Sequence, residues 1–330
     1  ENGKGTMMFS IRFFKTKYLF SLFFIPWIGL GAEVHLDKLI EYDQYASAKA
    51  LQEADLSDLW NYFLKGQADL FFSQEAELLA NEPSWMIAQN ILELGSGNGT
   101  YLYRLSEIFK DKKYIGIEKQ PSLVVQSNAQ YCRDSLFFGE GDAEQENEQF
   151  HNQFDAVLFR LTLQHLKNPK LALQLAHKYL KQDGVVVIID SYDPAKSSSH
   201  EIPTMKEASR QHNERNKANL KGNRRITIEI LEDLQNENSY LGNLYQVART
   251  SLDTQGNRLE KSVQFESEQD RKRYFNHALL FLGILSKEYG ISVDLSKAYE
   301  ELQVYLEDEK AWICPGMHFL VLKRFNKEFS

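Results

Sequence analysis

The apolar residues of this chain change rhythm near residue 90. Before it, Leu36, Leu39 and Ile40, then Leu56, Leu59, Trp60, Phe63 and Leu64, recur at spacings of three and four. That is the period of a helix with one buried stripe. Ser57-Asp58 reads as a helix start, and Gly66 and Asn81-Glu82-Pro83-Ser84 read as breaks. After residue 90, short apolar runs alternate with helical stretches, the pattern of parallel strands joined by crossover helices. It predicts strands over 90–94, 114–118, 136–139, 154–160 and 185–190, and helices over 100–110, 121–132 and 169–180. Asp183-Gly184 reads as the glycine stop of the last helix. The fifth strand is apolar from Val185 to Ile189, as a strand covered on both faces requires. Past Tyr192-Asp193-Pro194, residues 196–225 are polar, then charged and helical, and 226–234 continue as helix. Residues 244–252 alternate like a strand, 267–307 are helical with a break near Gly290, and 312–325 close the chain with a strand.

The N-terminus departs from this plan. Residues 1–6 precede the Met7-Met8 pair and read as an expression remnant outside the fold. Arg12, Lys15 and Lys17 then lead into residues 18–32, which carry no charge and end on Gly29, Gly31 and Ala32. Basic lead, apolar core and small-residue exit form the layout of a secretory signal peptide. As a helix the run would span about 22 Å, short of a hydrocarbon core of about 30 Å, and Pro26 would kink it. A signal-like or interfacial anchor is therefore favoured over a transmembrane helix, and 7–32 is a candidate peripheral membrane contact. An apolar arm packed on the domain is the alternative.

Charge narrows the partners. The 330 residues carry 46 acidic and 38 basic side chains, a net charge of −8. So acidic a chain is no general nucleic-acid binder, whose affinity rests on neutralising phosphates. The two cysteines, Cys132 and Cys314, lie far apart without metal-ligand spacing, and no metal site is expected.

The densest chemical signal is Glu93-Leu94-Gly95-Ser96-Gly97-Asn98-Gly99, between the first predicted strand and its helix. A glycine turn there brings backbone N–H groups and a helix N-terminus close to a ligand. The dinucleotide fingerprint G-x-G-x-x-G/A does not fit: counted from Gly95 its third position is Thr100, and from Gly97 it is Leu102. The spacing Glu-x-Gly-x-Gly-x-Gly instead resembles motif I of class I S-adenosyl-L-methionine (SAM)-dependent methyltransferases. The resemblance implies an α/β Rossmann-like fold: a seven-stranded, mostly parallel sheet flanked by helices, with an N-terminal helical segment and helical insertions late in the chain. It implies SAM as methyl donor and S-adenosyl-L-homocysteine as product. By the same resemblance the backbone of Gly95, Ser96, Gly97, Asn98 and Gly99 wraps the methionine part of SAM. Glu93 orients the loop or meets the amino group. Glu118 takes both ribose hydroxyls, Lys119 and Gln120 cover the adenine, Asp142 accepts from the adenine amino group and the Ala143 amide caps the ring. Arg160 ends the fourth strand beside the site, and Gln164-His165-Leu166 matches the family's His-Leu after that strand. The likeness covers about 85–195 well, and 35–84 and 196–330 only by general layout. Plainer roles compete: a structural turn for the loop, a solvated carboxylate for Glu118, a cap for Asp142 with Glu144, Glu146 and Glu148 close by, and packing against the fifth strand for His165.

The expected organisation is a single methyltransferase domain over 35–330, with its core at 85–195 and acceptor-site helices in 35–84, 196–240 and 265–308. The expected reaction moves a methyl group to a small-molecule or protein acceptor by in-line displacement. The alternative is a SAM-binding partner or sensor without catalysis. No base stands out: His165, Tyr192 and Asp193 lead, with Asp190 and His200 near the same sheet edge and His318 further off. The Asn/Asp-Pro-Pro-aromatic run of enzymes that methylate nucleic-acid amino groups is absent, since Asn168-Pro169-Lys170 comes too late and lacks its second proline and aromatic. Trp60, Phe63, Tyr274 and Phe275 could roof an acceptor pocket. Lys206, Arg210, Arg215, Lys217, Lys221, Arg224 and Arg225 could form a lid over an acidic substrate, although a solvated helix face is the favoured reading. The donor is a cytosolic metabolite, which puts the catalytic domain in the cytoplasm. The signal-like N-terminus leaves membrane association or secretion open.

Overall fold

The computed structural model describes residues 35–218, 222–236, 238–251, 267–314 and 316–325. Residues 1–6, the apolar segment at 7–34, Lys221 and the Lys217 side chain therefore lie outside the described residues. A 3-10 turn (Leu36–Glu41) leads into α1 (Gln44–Glu53), where the Asp43 side chain caps the helix by accepting from the Tyr45 and Ala46 amides. Then come α2 (Leu56–Ala80) and α3 (Pro83–Ile87), the latter opening on a proline whose missing N–H has no helical partner to lose. α2 starts slightly ahead of Ser57-Asp58 and runs through Gly66, which does not break it. Burial of Leu59, Phe63, Ala68, Phe72, Ala76 and Leu79 outweighs the cost of one helical glycine, about 1 kcal/mol. No helix among the described residues is long and apolar enough to cross a membrane.

The alternating part of the chain forms β1 (Asn90–Leu94), α4 (Thr100–Ile108), β2 (Lys113–Glu118), α5 (Pro121–Tyr131), β3 (Leu136–Glu140), β4 (Phe154–Arg160), α6 (Pro169–Tyr179) and β5 (Leu180–Ser191). Gly184 is not a helix stop: α6 ends at Tyr179 and Gly184 lies within β5. Leu180 pairs with Phe154 but Val185 pairs with Ala156, so the residues between them loop out of register. A Cβ on Gly184 would lie 3.1 Å from the Asp155 carbonyl oxygen, so the glycine serves this bulge. The remainder comprises β6 (Ser197–Ser198), α7 (Pro203–Ala218), α8 (Ile226–Gln235), α9 (Tyr240–Leu244), β7 (Tyr245–Thr250), α10 (Glu268–Tyr289), α11 (Leu295–Leu302), α12 (Val304–Glu307), β8 (Ile313–Cys314) and β9 (Met317–Arg324). α10 ends at Gly290, which takes a left-handed φ of 60°.

The main sheet has seven strands in the order β3-β2-β1-β4-β5-β9-β7. β1 to β5 pair in parallel, and β9 runs antiparallel to both β5 and β7. The fold is thus the expected Rossmann-like one. Its strand order reverses direction between β1 and β4, the switch point beyond whose C-terminal edge ligands bind in open α/β sheets. Successive residues serve opposite faces. Leu92, Val157, Val186 and Ile188 join one core, while Ile91, Ala156, Leu158, Val185 and Val187 join the other. A third cluster packs α1, α2, α10 and α11 together into a helical layer.

Candidate functional site

The loop after β1 is shaped by its three glycines, all left-handed, with φ of 83° at Gly95, 55° at Gly97 and 75° at Gly99. Each turns the backbone where a Cβ would strain it, and a Cβ on Gly95 would lie 2.5 Å from the Thr162 side chain. The Gly95 and Ser96 amides donate to the Ile117 carbonyl (2.7 and 3.0 Å), which ties the loop to β2. Gly116 leaves the room: its Cβ would lie 2.8 Å from Ser96 Oγ. The Asn98 amide side chain donates to both oxygens of Asn61 on α2.

Glu93 ends up buried at the floor of the loop, with Oε2 lacking any hydrogen-bond partner. Burial, reinforced by Glu75 and Glu118 and opposed by Arg160, pushes its pKa up to about 8. Arg160 leaves the end of β4 and donates from Nε and Nη2 to the two oxygens of Glu75 (2.7 and 3.2 Å), with both side chains almost wholly buried. Its guanidinium also lies 4.2 Å from the centre of the Tyr101 ring. Glu75 escaped the sequence reading because a glutamate in the middle of a helix carries no local mark of burial.

At the end of β2, Glu118 accepts from the Gly97 amide (2.9 Å) through one oxygen and from the Gln120 amide (3.0 Å) through the other. Asp142, past β3, accepts from Lys119 Nζ (2.7 Å) and from the Glu144 amide (2.9 Å). Lys119 above all holds this carboxyl below its ordinary pKa, so it stays ionised. The Lys119 ammonium arm is itself largely exposed.

These groups line one cavity of about 630 Å³, which also takes in Gly95, Ser96, Gly97, Asn98, Ala143 and Arg160; Gly99 supports the turn from behind. Beyond them the cavity is walled by Trp60 and Phe63 of α2 and Tyr274, His277 and Phe281 of α10. Phe275 is not part of this wall; it is buried against Tyr299. His277 stacks on Phe63 at 4.4 Å between ring centres. Lys196, Arg224 and His212 also reach the cavity, and of these only Arg224 drew notice in the sequence, as one basic residue in a run of seven. In the same run, Lys206 and Arg210 pair with surface glutamates.

Of the base candidates, His165 and Asp193 line the cavity. His165 faces it from a 3-10 turn (Leu163–His165) and is exposed there; desolvation first, then Arg224 and His212, lowers its pKa to about 4. Tyr192 does not line the cavity. It is buried against Ile228, with the Arg225 guanidinium 5.9 Å from its ring centre. Asp190 is wholly buried and accepts from the Ser191 and Gln164 amides. His200 pairs with Asp308 at 2.8 Å, and His318 lies inside the sheet against Thr250 Oγ1 at 2.8 Å.

Among solved structures, the chain is similar to the [4+2]-cyclase SpnF, at 14% identity over 77% of this chain and 81% of that one, with a TM-score of 0.46. It is also similar to the plantazolicin methyltransferase BpumL in complex with SAH (13%, 82% and 88%, TM-score 0.45). A third likeness is to a candidate sarcosine dimethylglycine methyltransferase from Galdieria sulphuraria (13%, 77% and 86%, TM-score 0.40). No curated protein matches the chain. A family model described as a methyltransferase domain matches residues 88–267, more than half of the sequence. The chain therefore belongs to the methyltransferase-domain family, with the Rossmann-like sheet of its class I members.

Proposed function

We propose that the protein is an enzyme that binds SAM across the loop at 95–99, Glu118 and Asp142, and transfers its methyl group to an acceptor in the adjoining part of the same cavity. The observation that carries this reading is that continuity: a glycine cradle and two carboxylates at one end, an aromatic wall at the other, one continuous cavity. The residues fit the cofactor. Three glycines leave room where any Cβ would be strained or would collide, and Glu93 offers a buried oxygen without a partner, suited to an ammonium group. Glu118 uses one lone pair on each oxygen for loop amides and keeps the others for two hydroxyl donors. Asp142, held ionised, is an acceptor for an exocyclic amine, with Lys119 sharing it.

When bound, SAM supplies an electrophilic methyl on a sulfonium, and the work left to the chain is alignment. The loop and Glu93 would fix the donor, and the wall from α2 and α10 would fix the acceptor and exclude water. A base is required only if the acceptor atom carries a proton. Of the expected candidates, His165 and Asp193 line the cavity and are the two placed to take such a proton.

Calorimetry with SAM tests the reading. Wild type binds, and Glu118→Ala and Asp142→Ala each weaken binding by about ten- to a hundredfold, the range for losing charge-assisted hydrogen bonds. No binding by wild type, or unchanged binding by both variants, refutes it. Release of S-adenosylhomocysteine against a metabolite and peptide panel then separates an enzyme from a SAM-binding sensor.

A further inference from the structure

The acceptor end of the cavity has an uneven charge. Its apolar surface comes from Phe63, Phe281, Ile284 and Leu285, and two cations enter it from the sheet edge, Lys196 after β5 and Arg224 before α8. The Lys196 ammonium has no hydrogen bond or ion pair among the described residues; the charges it feels are those of Asp193 and Arg224. Arg224 is held by a single hydrogen bond from Nη1 to Ser191 Oγ (3.0 Å), and its Nε is buried without a partner. Lys196 is exposed at the cavity and Arg224 is half-buried there, so both can still take an anionic partner. Four other acids line the cavity, Glu93, Glu118, Asp142 and Glu144, all at the cofactor end, which leaves Asp193 as the lining acid beside the two cations, with Asp190 buried behind the sheet edge and acting on Arg224. The three histidines add no charge near neutral pH, because desolvation, with help from these cations, lowers His165 and His212 to about 4 and His277 to about 3. At the surface of this end of the cavity two cations face one carboxylate.

We propose that this end of the cavity takes a small molecule with an apolar, ring-bearing body and a single negative charge, such as a carboxylate, which Lys196 and Arg224 bind while α2 and α10 hold the body. A cavity of about 630 Å³ shared with a cofactor leaves room for a small molecule. Calling the occupant the acceptor rests on the function proposed above. The charge preference does not, and it is measured without turnover.

The test uses two fluorescent probes with the same ring body, 1-anilinonaphthalene-8-sulfonate and uncharged N-phenyl-1-naphthylamine, on the full chain with and without S-adenosylhomocysteine. The anion is expected to bind at least tenfold more tightly. Lys196→Gln and Arg224→Gln each bring that ratio toward one while leaving the neutral probe within twofold. Asp193→Asn, which raises the net charge, strengthens anion binding several-fold, a gain that a misfolded variant would not give. Equal binding of the two probes, no binding of either, or an anion preference that survives both cation substitutions overturns the proposal. Failure of S-adenosylhomocysteine to bind in calorimetry would overturn the methyl-transfer reading instead and leave the probe result standing.

Discussion

Gly95 and Gly97 belong to one motif but answer to different neighbours. Both have left-handed backbone, which costs an L residue about 1–2 kcal/mol. A methyl on Gly97 would meet only the mobile end of Leu64 at 3.3 Å, whereas one on Gly95 would lie 2.5 Å from the Thr162 branch atoms, themselves fixed by a hydrogen bond from Oγ1 to the Arg160 carbonyl. Gly97→Ala is therefore expected to cost about 1 kcal/mol of stability. Gly95→Ala should cost about 3 kcal/mol or more, once overpacking is added. Chemical denaturation measures both, and adding Thr162→Ala to Gly95→Ala should recover part of the loss. Equal costs, or no recovery, would contradict this account. The contrast also marks what sequence can say about single residues. The glycines, Glu118 and Asp142 were legible because each stands at a fixed place in a strand-turn-helix unit. Glu75 and His277 were not, because they reach the site by folding from α2 and α10, and their own neighbours in sequence give no sign of it.

At the scale of elements, the first four parallel strands were read almost to the residue because their apolar runs are short and bounded by turn residues, while the fifth begins five residues earlier than its apolar run. The errors fell on glycines. Gly66 looked like a helix break and Gly184 like a helix stop, yet one lies inside α2 and the other in a bulge of β5. A glycine marks that a side chain is missing, and only tertiary contacts say why. For Gly66 the neighbour is His277: a Cβ would lie 3.5 Å from Nδ1, an ordinary contact. Gly66→Ala should thus keep the α2–α10 packing and gain most of the helix-propensity difference, up to about 1 kcal/mol. For a domain of this size that is a rise of roughly 2–4 °C in melting temperature. A fall in melting temperature would mean that α10 needs the closer approach and that the glycine is there for packing.

Across the whole molecule, the buried titratable groups pull stability in two directions with pH. Burial lowers His212 and His318 to about 4 and His277 to about 3, so in the unfolded chain these rings take up protons that the folded one refuses. Their contribution is present above pH 6.5 and is lost as the pH falls below it. Glu93, raised to about 8, and Asp190, raised to about 6, act the other way: the folded chain holds their protons, and what they contribute at low pH is lost as the pH rises through those values. Between pH 6 and 5, these three histidines, together with His165 at the cavity, set against two carboxyls leave the unfolded state binding about one to two protons more. Stability should therefore fall on acidification by about 1.4–2.7 kcal/mol per pH unit. His318 is the cleanest handle, because it lies inside the sheet away from the cavity, with Thr250 Oγ1 on Nε2 and nothing on Nδ1. His318→Gln removes one of the refusing groups and should lower the slope over this window by about one proton, about 1.4 kcal/mol per pH unit, whatever it does to stability at pH 7. Urea unfolding at pH 5, 5.5 and 6 gives the slope directly. If the variant kept the wild-type slope, His318 would have to be protonated in the folded sheet, and its burial would need a different explanation.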